Sequence, residues 1–283
     1  MQATTATVPP DGRAVPAVTH RPGLAEAFHS ELTKIRSVRS TYWTLLIQVV
    51  ASVAWAVADC AGTVAHWSAQ SAHAGFNAAQ SSLLGQVALG EVIIVVLGAL
   101  VMTSEYSTGM IRSSLTVMPR RGVLYAAKAL ALTAVSLAAS LVASLAAFLA
   151  GQAILAGKHI STTLAQPDVL RAVLLSAIVV TVFGLLAYGA GALIRHTAGA
   201  ITAILGVLFL LPELGQALPD SWYNEVVRWL PGGTALGPIA SSAPSSAALA
   251  PHLFSAWGEF AVFCGYAAVL LVAGAWSFLR RDA

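Results

Sequence analysis

Three consecutive segments decide the fold: LGEVIIVVLGALVM (89–102), TSEYSTGMIRSSLTVMPRRGVLYAAK (103–128) and ALALTAVSLAASLVASLAAFLA (129–150). The two outer segments contain a single charged residue, Glu91, whereas the middle one carries an acid, two glycines, a proline and four bases. Apolar runs of about 20 residues are long enough to cross a bilayer as helices. The pattern therefore predicts two membrane spans joined by a polar loop with its own structure.

The composition of the whole chain also indicates a membrane environment. Of 283 residues, 57% are hydrophobic and 10% are charged, and the mean hydropathy is +0.77. Soluble domains carry about 25% charged residues. The sequence therefore predicts an all-α integral membrane protein with one transmembrane domain over 23–283. Residues 1–22 lack the apolar core of a signal peptide and are predicted to be a disordered tail.

Hydropathy predicts six transmembrane helices. Their approximate bounds are 42–62, 83–104, 124–154, 171–194, 197–218 and 258–279. The fifth has a short apolar run before Pro212, which kinks or ends a helix, so we expect a broken span there. A long outer segment, 212–257, is predicted to follow it.

The distribution of the fifteen bases predicts the orientation. With the N-terminus inside, only Lys158, Arg171 and Arg228 fall outside, and the other twelve bases fall on the inner side. An even number of spans returns the C-terminus to that side. We therefore expect both termini to be cytoplasmic.

An amphipathic helix is predicted before the first span. Its apolar residues recur at helical spacing and form one stripe: Leu24, Phe28, Leu32, Ile35 and Val38. Lys34, Arg36 and Arg39 are placed where they would meet acidic lipid headgroups. We interpret the segment as a helix in the inner membrane interface, the alternative being an ordinary soluble amphipathic helix.

No catalytic motif is found in the sequence. The segment GQAILAGKHI (151–160) differs from a phosphate-binding loop in its glycine spacing and in having His159 where a magnesium-binding hydroxyl is needed. His66 and His73 share a loop but lack a third ligand, so no metal site is predicted. Because the bases are spread along one membrane face, nucleic-acid binding is not expected. We predict that the chain is not an enzyme and contains no cofactor.

Glu91 is a charged residue deep within a predicted span. It lies about 12 Å into the second span at 1.5 Å per residue. A carboxylate at that depth is expected to face a protein interior or a wet cavity, or to be protonated. It can line a substrate path, or it can form an interhelical hydrogen bond with Gln48 or Gln86. The sequence leaves both alternatives open.

The polar loop has a specific resemblance. Its residues match in order and spacing the first cytoplasmic loop of ABC-2-type transporter permeases, with Met110 and Arg120 as mild departures from the family pattern: Glu105, Gly109, Arg112, Leu115, Pro119, Arg120, Arg121 and Lys128. The resemblance implies that the loop over 105–123 contains a coupling helix, which fits a groove of an ATP-hydrolysing subunit. The alternative is that the arginines only enforce topology and bind anionic lipids.

The resemblance also implies an assembly. ATP and magnesium are expected on a separate ABC ATPase subunit, and the permease is expected to form a homodimer or to pair with a related permease. The expected function is ATP-driven export of a drug, antibiotic, peptide or lipid across a bacterial cytoplasmic membrane. An ion-gradient-driven carrier or channel and a non-transporting anchor or assembly subunit are the alternatives.

Overall fold

The computed structural model describes residues 23–67, 76–111, 116, 120–211, 214 and 256–280. This part of the chain contains helices and turns but no strand. Its α-helices are α1 (Leu24–Ser37), α2 (Arg39–Ala65), α3 (Ala78–Ser107), α4 (Arg121–Leu155), α5 (Pro167–Ile194), α6 (Thr197–Leu205) and α7 (Ala256–Arg280). The predicted all-helical class is confirmed for these residues.

Five helices are long and apolar enough to cross a membrane, namely α2, α3, α4, α5 and α7. Each contains one predicted span and extends beyond it at both ends or at one end. The fifth predicted span, 197–218, differs: α6 continues as a π-helix over Gly206–Leu210, which gives a shorter apolar helix, Thr197–Leu210. Most of the remainder, and most of the outer segment 212–257, lies outside the described residues. A sixth crossing and the orientation of the termini stay predictions.

The centre of the bundle is the contact between α3 and α5, which are the two most buried spans. A methyl group added at Gly98 would overlap the carbonyl oxygen of Gly184, and one added at Gly184 would lie 2.7 Å from the Ile94 side chain. Small residues permit such close approach of backbones, which is how helices gain packing energy where no hydrophobic effect drives association.

Buried hydrogen bonds join α2, α3 and α4. Gln48 Nε2 donates to Ser140 Oγ at 2.8 Å, and Ser52 Oγ donates to Gln86 Oε1 at 2.7 Å. Gln86 Nε2 in turn donates to the Ser140 carbonyl at 3.3 Å. These three hydrogen bonds fix the register of the helices, although Gln48 Oε1 stays without a partner among the described residues.

Aromatic hydroxyl groups fix α7 against α4 and α5. The Tyr125 hydroxyl of α4 donates to the Leu271 carbonyl at 3.0 Å, and the Tyr188 hydroxyl of α5 donates to the Tyr125 carbonyl at 2.9 Å. The three ring systems of Tyr125, Tyr188 and Phe278 pack together near the start of α4. These contacts anchor the end of the bundle from which the predicted coupling loop leaves.

The predicted N-terminal helix is present as α1 and packs mainly on α4. Its protein-facing residues are Ala27, Glu31 and Ile35, all buried. Leu24 and Val38, which belong to the predicted apolar stripe, are 45% and 48% exposed. Part of the predicted apolar stripe is therefore exposed, whereas Ile35 of the same stripe lies on the buried face, centred on Glu31, that contacts the spans.

Candidate functional site

Four charged side chains meet where α1 crosses the ends of α3 and α4, and we call them the ion cluster: Glu31, Lys34, Glu105 and Lys128. Lys128 is its centre and is only 2% exposed. Its Nζ donates to Glu31 Oε2 at 2.7 Å and to Glu105 Oε1 at 2.5 Å. A lysine from α4 thus joins one carboxylate of α1 to another at the end of α3.

Burial makes this arrangement energetically demanding. Removing a charge from water is costly, and only close opposite charges with good hydrogen bonds compensate for it. Glu31 and Glu105 are 3% and 7% exposed, so neither can regain full hydration if Lys128 is removed. The ends of α3 and α4 and the middle of α1 therefore depend on one another.

Lys34 completes the cluster at its solvent side. Its Nζ donates to Glu31 Oε1 at 2.7 Å and lies 3.4 Å from Glu105 Oε1, and its side chain is 39% exposed. Burial alone would lower the pKa of Lys34, but the hydrogen bond to Glu31 and the negative charge of Glu105 outweigh it, so this pKa lies above its ordinary value. With two acids and two lysines, the ion cluster is electrically balanced.

Glycine is required where the loop leaves α3. Gly109 has φ +69°, a left-handed conformation that other residues adopt only at a cost. The Gly109 amide donates to the Tyr106 carbonyl at 3.3 Å, and the chain resumes helical conformation at Met110 and Ile111. The chain therefore turns sharply at Gly109. Three predicted coupling residues, Arg112, Leu115 and Pro119, lie outside the described residues.

The remaining predicted bases occupy different environments. Arg120 is exposed immediately before α4, and Arg121 is partly buried in its first turn. Arg36 and Arg39 are exposed beside the junction of α1 and α2. The structure thus brings together Glu105, Lys128 and Lys34 and leaves the four arginines outside the ion cluster.

The turn between α5 and α6 contacts the same end of α3. Arg195 adopts φ +59° at this turn, and its guanidinium group stacks on the Tyr106 ring at 5.1 Å. Its Nη2 also donates to the Ser277 carbonyl of α7 at 3.4 Å. A cation over an aromatic face is attracted by the ring quadrupole. This contact therefore connects the turn between α5 and α6 to the end of α3, where the predicted coupling loop begins.

Glu91 is separate from the ion cluster, being 14 residues, or about 21 Å, from Glu105 along α3. It is 8% exposed and lies seven residues before Gly98, so it belongs to the helix face that packs on α5. Gln48 and Gln86, the partners considered from sequence, instead bond to Ser140 and Ser52. No hydrogen bond to Glu91 is found within the described residues.

Glu31 was not predicted from the sequence as a site residue. The helical stripe of α1 directs attention to its apolar residues, and Glu31 lies between two of them. Its i to i+3 spacing to Lys34 was available, but such pairs are common on exposed helices. The informative partner, Lys128, is 97 residues away along the chain. In the part of the chain that the structure describes, no group of three His, Cys, Asp or Glu side chains is placed to hold a metal ion.

Comparison with known protein families identifies the family of this chain. Residues 35–283 match the family described as "ABC-2 family transporter protein", which covers all the helices above except the first part of α1. No individual curated protein was found to match. The match includes the Glu105–Lys128 loop, so it agrees with the resemblance read from those residues. The chain belongs to the ABC-2 family of transporter proteins and is an ABC-type membrane permease.

Proposed function

We propose that this chain is the permease subunit of an ATP-driven exporter in a bacterial cytoplasmic membrane. A separate ABC ATPase subunit binds and hydrolyses ATP with magnesium, and the permease moves a lipophilic or amphipathic compound outward. Two permease chains, identical or related, enclose the path. The observation that carries the proposal is the ion cluster, which joins both stems of the predicted coupling loop to α1 in a chain of this family.

The geometry of the loop stems supports a role in force transmission. Glu105 precedes the loop and Lys128 follows it, and the two side chains are bonded directly. Since Lys128 also binds Glu31, a displacement of the loop moves α1, the end of α3 and the start of α4 together. Glu105 and Lys128 thus contribute to coupling from inside the permease, without touching the ATPase.

The contact surface for the ATPase is assigned to the arginines. Arg120 is exposed and Arg121 is partly so, and family resemblance adds Arg112. Fixed positive charges at a docking surface speed association and select an acidic partner surface. Binding of this loop in a groove of the ATPase would convert closure of that subunit into movement of the ion cluster.

The turn between α5 and α6 would transmit the movement of α3 to α6. Arg195, between α5 and α6, rests on the Tyr106 ring at the end of α3. A shift of α3 is therefore transmitted to the turn that begins α6. We propose that α3 and the predicted fifth span line the substrate path, with Glu91 as a polar group on α3. Glu91→Gln is expected to reduce export while leaving the amount of protein in the membrane unchanged; unchanged export would remove Glu91 from the path.

The test is affinity purification of the full chain from its native host membrane, with the co-purifying chains identified by mass and assayed for ATP hydrolysis. We expect a stoichiometric ATPase that is lost in Arg112→Ala/Arg120→Ala/Arg121→Ala. The matched control is Arg36→Ala/Arg39→Ala, which also removes exposed arginines but leaves the loop intact, and should retain the ATPase. A chain that purifies alone would favour a carrier or an anchor instead.

A further inference from the structure

A cavity of about 390 Å³ lies beside the ion cluster, between the end of α1, the start of α2 and the last turns of α3. Part of its lining is apolar and is formed by residues such as Leu97, Leu100 and Val38. Another part is polar and includes Lys34 and Glu105. The cavity therefore offers an amphipathic ligand two distinct surfaces.

The cavity lies near exposed apolar side chains of α2 and α3. Leu100 in its wall is 36% exposed, and Trp43 and Ile47, on the first turns of α2 beside it, are 64% and 53% exposed. Large apolar side chains this exposed on a spanning helix are expected to contact acyl chains. A lipid can therefore place its headgroup in the cavity while its chains stay in the bilayer.

The charges that line the cavity select against a ligand with net charge. The ion cluster is already balanced, and the exposed Arg36 and Arg39 are not among the lining residues, so an added anion or cation would leave an uncompensated charge in a partly buried site. Lys34 Nζ uses two of its three hydrogens on Glu31 and Glu105, which leaves one for a phosphate oxygen. A zwitterionic headgroup keeps the site neutral and uses that remaining hydrogen.

Acceptor groups in the cavity favour a ligand that donates hydrogen bonds. The hydroxyl hydrogens of Thr44 and Thr108 are directed to backbone carbonyls, so their oxygens remain as acceptors. Glu105 Oε2 has no hydrogen-bond partner among the described residues, but it is itself buried, so the threonine oxygens are the acceptors that a ligand in the cavity can reach. A primary ammonium group has three hydrogens to donate, whereas a quaternary choline has none.

We propose that this cavity binds the headgroup of a zwitterionic phospholipid with a primary ammonium group, of the phosphatidylethanolamine type. The phosphate lies at Lys34, the ammonium is received by the threonine oxygens, and the acyl chains run along Leu97 and Leu100. A lipid held here would contact α1, α2 and α3 at once. The inference does not depend on the ATPase partner.

The experiment measures bound lipid by native mass spectrometry of the full chain, after reconstitution in nanodiscs of equal phosphatidylethanolamine and phosphatidylcholine. Hydrogen bonds to a charged group predict about tenfold enrichment of the ethanolamine lipid in one retained site per chain. Ser104→Trp, which fills the cavity from α3, should abolish that enrichment. Val142→Trp, at a position of α4 that is 58% exposed and outside the cavity, should preserve it.

Two further variants keep the result interpretable. Thr44→Val retains the shape of the side chain and removes an acceptor, so it should weaken the preference between the two lipids without changing thermal stability. Equal retention of both lipids by the unmodified chain would overturn the proposal. It would also be overturned if Ser104→Cys cross-linked two chains in native membranes, because a second copy would then cover the cavity.

Discussion

Substitution of Lys128 by methionine should destabilise the protein more than loss of any other single lysine in the described part of the chain. Met has a similar length but no charge, so the change leaves Glu31 and Glu105 buried without their shared partner. Removing one member of a buried ion pair costs about 3–5 kcal/mol. Since Lys34 still contacts both acids, we expect the lower part of that range, about 3 kcal/mol.

The assay is the free energy of unfolding from reversible titration of the detergent-solubilised protein with a denaturing detergent. The matched control is Lys158→Met, because Lys158 is exposed after α4 and should change stability by less than about 0.5 kcal/mol. Amide hydrogen exchange adds a local readout: α1 should exchange faster in Lys128→Met and at the normal rate in Lys158→Met. A loss below about 1 kcal/mol, with α1 still protected, would refute the role assigned to the ion cluster.

A compensating variant separates charge from packing. Glu31→Gln/Glu105→Gln/Lys128→Met removes both acids and the central lysine while keeping side-chain volume close to native. Uncharged replacements of buried ion groups are often neutral or stabilising. The triple variant should therefore recover most of the stability that Lys128→Met loses. Failure to recover would show that the side chains pack in a way that charge does not explain.

Three further predictions concern Lys34 and the glycines. Folding raises the pKa of Lys34, so the pairing of Lys34 stabilises the protein fully below the ordinary pKa of 10.5 and this stabilisation is lost as the pH rises through the higher folded value. Because the lysine is partly exposed, Lys34→Met should lower the free energy of unfolding by at most about 1 kcal/mol at pH 7. At the alkaline limit it should cause no measurable loss. Gly98→Ala should destabilise by about 1–3 kcal/mol by forcing α3 from α5, whereas Gly62→Ala, with open space around it, should not, as unfolding titrations would show. Gly109→Ala should cost about 1–2 kcal/mol of loop strain and reduce ATPase stimulation by the permease, while Gly122→Ala, which has room for a methyl group, should preserve it.

The spans were predictable because they depend on local composition. A run of apolar residues such as 89–102 is sufficient to predict a membrane helix, and five of the predicted spans lie within long apolar helices. The fifth was the weakest prediction since its apolar run is short before Pro212, and the described part is indeed a short helix that ends in a π-helix. Gly109 was identified through the family pattern, and its positive φ shows why a glycine suits this turn.

The ion cluster was not predictable in the same way. Lys128 and Glu105 were found only through a family pattern, which assigned them to coupling and gave no partner within the chain. Burial of Glu31 depends on which face of α1 meets α4, and an amphipathic helix with lipid on one side and protein on another does not reveal this from periodicity. Contacts across 97 residues depend on tertiary packing and need coordinates.

The most direct measurement of the central claim is photo-cross-linking in native membranes, with a photoreactive amino acid placed at Arg120, the exposed base at the start of α4. The account predicts one major protein adduct, an ABC ATPase chain, that is absent when the same group is placed at the exposed Arg36 of α1. An adduct with lipids alone, or with any protein that lacks ATP hydrolysis, would contradict the assignment of this loop as the coupling site.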